Sequence, residues 1–345
     1  MVERTLCLDI GSGTQDVFYA LPGLEPENCP KFVLPAPARQ VGARLGALTA
    51  AGRSVYLTGR NMGGGFFKTF QAHLKAGLPL AIHPDAVWAL TDDPDRLAAT
   101  TSAVITPHRP EGYVPVHLAD YDPGFWRAFL SAAGLPEPEL VLAAAQDHGL
   151  HTGKSSRIGR FTLWERFLRQ AKGLPEGLVY QTPPAELTRL AVLQDSIGGG
   201  AVADTAAAAI LGALIDPAIT ARSRETGVLL VNMGNSHTVA ALLFRHRIHG
   251  IYEHHTGLLS AEELWADLGR FRRGSLPGSE VFDRGGHGCL TLDLPPEAGI
   301  FPYTSVIGPK RAFLRDFDVD FPSPGGDMML TGCFGLLHWY RTRKG

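Results

Sequence analysis

Cysteine is scarce in this sequence: four residues in 345, Cys7, Cys29, Cys289 and Cys333, all far apart. No C-x-x-C pair is present, which excludes a zinc ribbon, a thioredoxin-like site and a compact iron–sulfur loop on spacing. A chain this long with so few cysteines implies no disulfide framework, and a reducing, cytoplasmic setting is expected. Charge of one sign is lacking too. Lys+Arg 32 against Asp+Glu 34, a formal net charge of −2, makes no large field to attract DNA, RNA or an anionic membrane. No window approaches the roughly 20 apolar residues that a transmembrane helix needs. Asp9 interrupts the one N-terminal apolar run before it could serve as a signal-peptide core. With 45% hydrophobic and 19% charged residues, what is left is an ordinary globular composition with enough chain for two domains.

Strand and helix signals alternate, which favours an α/β layer architecture. Leu6 to Leu8 reads as a buried strand ending at Asp9, and Val17 begins a second strand after a turn rich in glycine and hydroxyls. Lys31–Leu34 and Ser54–Thr58 read as further strands, with a helix over Arg39–Ala51 between them. Glu139–Ala145 is the apolar run of a central strand buried on both faces. Gln146-Asp147-His148-Gly149 follows it, at the strand end where ligands gather in open α/β sheets. The polar, basic segment His151–Arg160 makes a junction, dividing the chain into halves 1–150 and 151–345.

Three stretches share one logic. In Asp9-Ile10-Gly11-Ser12-Gly13-Thr14 the glycines allow close backbone approach, consecutive turn amides can cradle an anion, and Asp9 offers a hard oxygen to hydrated Mg²⁺. Val231-Asn232-Met233-Gly234-Asn235-Ser236-His237-Thr238 repeats the plan: buried strand, polar residue, glycine turn, second strand. Met328–Leu330 followed by Thr331-Gly332-Cys333 reads as a third strand, glycine turn and helix start. Between the first and second, Asp204 caps a small-residue helix reaching Leu214, whose alanines permit close helix packing.

In this order the four motifs resemble the actin, sugar kinase and Hsp70 superfamily of ATP-dependent proteins. Within it the chain is most similar to a bacterial and archaeal domain family of unknown function labelled "pyruvate formate-lyase activating enzyme-like". Radical S-adenosylmethionine activators hold their cluster on three clustered cysteines, and this chain has none. The resemblance implies two RNase H-like, actin-like ATPase domains with a nucleotide cleft between them, and ATP with Mg²⁺ as cofactors. It implies that Asp9 orients Mg²⁺ through water and that Gly11, Ser12, Gly13, Thr14 and Gln15 form the first phosphate loop. Asn232, Gly234, Asn235, Ser236, His237 and Thr238 form the second, and Gly332 lets adenosine pack closely. Asp147 falls near the position that orients attacking water in actin-like ATPases, and Asp204 where similar sugar kinases place a general base. Three positions depart from the pattern. Asp16 stands where a Lys or Arg is usual, Asn232 replaces an acidic residue, and Cys333 occupies the place of a second glycine.

A histidine cluster competes for attention. Glu253-His254-His255 follows a strand read at His249–Tyr252, and His287 lies in a glycine-flanked turn; imidazole and carboxylate suit zinc or iron. Adjacent residues of an extended segment face opposite ways, so one of His254 and His255 is expected to face a site while its neighbour does not. His148, Glu253, His254, His255 and His287 are the candidate substrate residues. The sequence thus supports two functional readings. In one, an ATP/Mg-binding protein phosphorylates or activates a small molecule through Asp9, Asp147 and Asp204. In the other, a degenerate nucleotide fold carries a histidine-based or metal-dependent reaction at residues 253–289.

Overall fold

A computed structural model of the chain describes residues 3–151 and 155–344. It opens with an antiparallel meander, β1 (Thr5–Ile10), β2 (Thr14–Ala20) and β3 (Lys31–Pro35). An insertion follows: α1 (Pro37–Ala50), β4 (Val55–Gly59), α2 (Phe67–Lys75), β5 (Leu80–Ile82), α3 (Pro94–Thr100), β6 (Val104–Ile105) and β7 (Val114–Leu118). Its four strands form their own parallel sheet, in the order β6-β5-β4-β7, around a separate core that includes Leu45, Phe66 and Phe70.

The chain then returns through α4 (Pro123–Ala132) to β8 (Leu140–Ala145), which pairs parallel with β1. After α5 (Ser156–Gln170), β9 (Val179–Tyr180), α6 (Thr188–Ser196) and β10 (Val202–Ala203), the first sheet is complete, in the order β3-β2-β1-β8-β10-β9. Strands from both sides of residue 150 therefore share this sheet. Both its faces are covered, as the run of apolar residues in β8 requires. Leu6 and Leu8 pack on one side, and Cys7 with Leu142 on the other.

Helices α7 (Thr205–Ala213) and α8 (Pro217–Glu225) lead to the second sheet, built from β11 (Val228–Met233), β12 (His237–Phe244) and β13 (Arg247–His255). Helices α9 (Ala261–Phe271) and α10 (Gly278–Asp283) precede its edge strand β14 (Gly288–Thr291), and β15 (Tyr303–Ile307) pairs parallel with β11. The order is β14-β13-β12-β11-β15. A meander with a parallel strand laid beside its first member thus occurs twice, which is the duplicated RNase H-like arrangement of the actin-like ATPase fold. The β12–β13 hairpin turns at Arg245 and His246, both with positive φ, and its register shifts by one residue between Leu242 and Leu243.

The last helix, α11 (Thr331–Lys344), returns to the first unit and crosses α7. A Cβ on Gly335 would lie 2.3 Å from the Ala208 carbonyl oxygen, so two backbones touch at this crossing. The strand expected at Met328–Leu330 is a 3-10 turn instead. The Asp327 carboxylate accepts the Met329 N–H and the Thr331 hydroxyl donates to the Met328 carbonyl, so local caps start a helix there. Residues 152–154 of the expected junction His151–Arg160 lie outside the described residues, and from Ser156 the rest of that segment is helix, the first turns of α5. No single helix among the described residues is long and apolar enough to cross a membrane.

Candidate functional site

A cleft of about 550 Å³ opens between the two sheets. The β1–β2 turn closes on itself through the Gly11 N–H, which donates to the Thr14 carbonyl at 2.9 Å. The Gly234 N–H does the same to the His237 carbonyl in the β11–β12 turn. The two turns meet across the cleft, where the Ser12 and Ser236 hydroxyls are hydrogen-bonded at 2.6 Å. Gly13 lies so close under Asn235 that a Cβ there would sit 2.4 Å from the side-chain nitrogen. Ser12, Thr14, Asn232 and Gly234 to His237 line the cleft, whereas Gln15 is buried elsewhere and Thr238 hydrogen-bonds to Thr256.

Asp9 ends β1 at the cleft floor, directly across the ladder from Asp16. One carboxylate oxygen of each is buried without a hydrogen-bond partner. Burial, then the neighbouring Asp16 and Asp204, hold the Asp9 carboxyl well above the usual range. Asp16 is pushed up to about 7, by burial first. Gly332, in the first turn of α11, approaches this pair so closely that a Cβ would meet Asp9 Oδ2 at 2.0 Å. Its place in the structure is therefore beneath the carboxylates.

Asp147 and His148 follow β8 and line the cleft. Both Asp147 oxygens are engaged, accepting the N–H groups of Gly149 at 2.8 Å and Leu190 at 2.9 Å. Asp204 stands behind it as the cap of α7, accepting from the Ala206 and Asp147 N–H groups. Its remaining capacity goes to Arg160, whose Nη1 donates at 2.9 Å.

Arg160 is the residue that sequence reasoning missed. It is 3% exposed and also donates from Nε to Glu253 at 2.6 Å and from Nη1 to the Asp147 carbonyl at 2.7 Å. A signal existed: Arg160 shares the buried stripe of α5 with Leu163, Trp164, Phe167 and Leu168, and a charge on an apolar stripe demands partners. Asp120 and Arg189 were missed as well. Their bidentate pair, at 2.7 and 2.8 Å, ties the insertion to α6.

Strand alternation decides between the two adjacent histidines. Glu253 and His255 lie opposite Val239 and His237 and share their face, while His254 lies opposite Thr238 and packs beside Tyr252. His255 joins His237 and His287, with ring centres 4.7 and 4.9 Å away. His148 Nε2 approaches His287 Nε2 at 3.1 Å. His287 is held by its loop, whose Gly286 carbonyl accepts from Arg157 at 2.6 Å. Burial disfavours charge on every ring: His148 falls well below its ordinary value, His237 to about 3 and His287 to about 2. Burial thus favours the neutral form of each ring. The four free cysteines, in contrast, are dispersed and three are buried.

No curated protein matches the sequence at a significant level. Among solved structures, the chain is similar to MreB 5 of Spiroplasma citri bound to AMPPNP, at 12% identity over 100% of this chain and 98% of that one, with a TM-score of 0.36. An exopolyphosphatase-like protein aligns at 8% identity over 99% and 88%, TM-score 0.30. The activator of the 2-hydroxyisocaproyl-CoA dehydratase from Clostridium difficile with bound ADPNP aligns at 9% over 99% and 97%, TM-score 0.28. The fold assignment itself stands on strand order. At the level of sequence, the family described as "Putative pyruvate format-lyase activating enzyme (DUF1786)" matches residues 62–313, more than half of the chain, and the chain belongs to that family.

Proposed function

We propose that the cleft binds ATP with Mg²⁺ and uses it to phosphorylate or otherwise activate a small molecule. The observation that carries this reading is the meeting of two glycine-and-hydroxyl turns at Ser12 and Ser236, above an unpartnered buried oxygen of Asp9. Paired turns of this kind present backbone amides and hydroxyl donors to a polyphosphate from two sides. A buried carboxylate oxygen without a partner suits a hard, hydrated cation, and Asp9 is the residue that would hold Mg²⁺ through water. The metal would neutralise phosphate charge. Ile307, Pro309, Met328 and Met329 give the cleft an apolar end suited to a purine ring.

Asp147 and Asp204 are positioning residues in this proposal, because their oxygens are already occupied by backbone N–H groups and Arg160. His148 lines the cleft wall, which supports a role for it beside the acceptor.

Calorimetric titration with ATP, ADP and AMP-PNP, with and without Mg²⁺, tests the reading. Micromolar, Mg²⁺-dependent binding that is lost in Asp9→Asn is expected. Absence of heat at millimolar nucleotide would refute it.

A further inference from the structure

The histidines have a second capability that does not depend on nucleotide. Among the described residues, one group of His, Cys, Asp and Glu side chains converges tightly enough to hold a metal ion: His148, His237, Glu253 and His287. Their candidate ligand atoms all lie within 4.8 Å of one another. They come from the end of β8, the start of β12, the end of β13 and the loop before β14.

Three observations point the same way. His237 Nε2 is buried and has no hydrogen-bond partner. Such an orphan calls for an unseen partner. His148 Nε2 and His287 Nε2 face each other at 3.1 Å, and two nitrogens on one tetrahedral zinc ion stand about 3.3 Å apart, given bonds of about 2.0–2.1 Å. Glu253 is fixed by the Gln146 amide, which donates to one of its oxygens at 2.7 Å, and by Arg160, which donates to the other at 2.6 Å, the kind of support that orients metal ligands. Arg160 is shared between two carboxylates, Asp204 and Glu253, so the guanidinium also ties the proposed ligand Glu253 to the cap of α7.

We propose that His148, His237, Glu253 and His287 form a binding site for a zinc-class divalent transition ion. His148 and His237 line the cleft, whereas Glu253 and His287 lie behind them. The ion's free side therefore faces the cleft, next to Ser236, where an anionic oxygen of a ligand would approach it. Imidazole nitrogens favour Zn²⁺, Co²⁺ or Fe²⁺ over Mg²⁺, so this site is chemically distinct from Asp9.

The test is Co²⁺ titration of the full-length protein after EDTA treatment, read by visible absorption, followed by displacement with Zn²⁺. One equivalent of Co²⁺ with the intense bands of low coordination is expected, and Zn²⁺ should bleach them. His148→Ala and His287→Ala should each weaken binding by more than the roughly 10–100-fold that the loss of a partner behind a ligand costs, while His254→Ala, on the opposite face, should leave it unchanged. Circular dichroism confirms that each variant is folded. If His287→Ala does not fold, Glu253→Gln serves in its place. Folded wild-type protein that takes up no Co²⁺ at 100-fold excess overturns the proposal. So does binding that survives both histidine substitutions. Nucleotide affinity is measured separately by calorimetry, so either reading can fail without the other.

Discussion

Replacing Arg160 by methionine should be among the costliest single changes in the chain. The guanidinium is 3% exposed and donates to Glu253, Asp204 and the Asp147 carbonyl. Methionine fills similar volume, so the loss is electrostatic: the fully buried Glu253 and the partly buried Asp204 are left without their cation. Breaking a buried pair in this way costs about 3–5 kcal/mol. With an unfolding entropy of about 2.1 cal/mol/K per residue over 345 residues, that lowers the melting temperature by roughly 4–7 °C. The penalty should depend on pH. Burial already raises the Glu253 carboxyl despite Arg160, and without the cation it will bind a proton more readily when folded than when unfolded. Stability of the variant therefore recovers as pH falls, and the gap to wild type is wider at pH 8 than at pH 5.5. Urea denaturation in EDTA at both pH values measures this. Arg166→Met is the control, because its ion pair with Glu186 is 42% and 40% exposed and should contribute under about 1 kcal/mol. An Arg160→Met loss no larger than that control, or one independent of pH, would refute the reasoning.

Asp9→Asn should raise the melting temperature of the ligand-free protein while removing the Mg²⁺-dependent part of nucleotide binding, since it deletes a buried carboxylate that burial disfavours; a differential scan and a titration check the two effects. Asp16 is raised to about 7 when folded, so the folded state holds its proton where the unfolded state has lost it. Stability should then fall as pH rises from about 4 to about 7, by up to about 1.4 kcal/mol per pH unit, and urea midpoints for Asp16→Asn should lack that slope. Gly335→Ala should cost at least about 2 kcal/mol, because its Cβ meets the Ala208 carbonyl and the Gly212 nitrogen at 2.3 and 2.6 Å. Gly46→Ala in α1, where the Cβ meets Thr69 at 3.6 Å, should instead stabilise by about 0.5–1 kcal/mol; denaturant midpoints for the pair separate crowding from propensity.

Much of this was legible locally. The turns after Asp9 and Asn232 announce themselves by glycine and hydroxyl content, the Asp204 cap by its position, and the split of His254 from His255 by strand alternation. The misses are long-range or tertiary. That His148 meets His287, 139 positions away, depends on two sheets facing each other, which no window of sequence records. Arg160 was taken for part of a polar junction because the missing turn of α5 hid its apolar stripe. Met328–Leu330 has strand-forming bulk, but the Asp327 and Thr331 caps override it. Likewise, the strand at Ser54–Thr58 was recognisable, yet its place in a separate sheet rests on pairings that local pattern does not encode.

The register shift in the β12–β13 hairpin has a consequence for the site as a whole. Zipped regularly from its Arg245-His246 turn, the hairpin would set Glu253 opposite Thr238 and His254 opposite His237. The shift between Leu242 and Leu243 instead places Glu253 opposite Val239 and His255 opposite His237. One spare residue in a ladder acts as a phase switch: it decides which of two neighbouring imidazoles looks into the cleft, and whether the carboxylate reaches Arg160 at all. Chemistry at one end of the hairpin is thereby hostage to loop length at the other, and a single deletion near its tip could exchange the identity of the site while leaving the strands themselves in place.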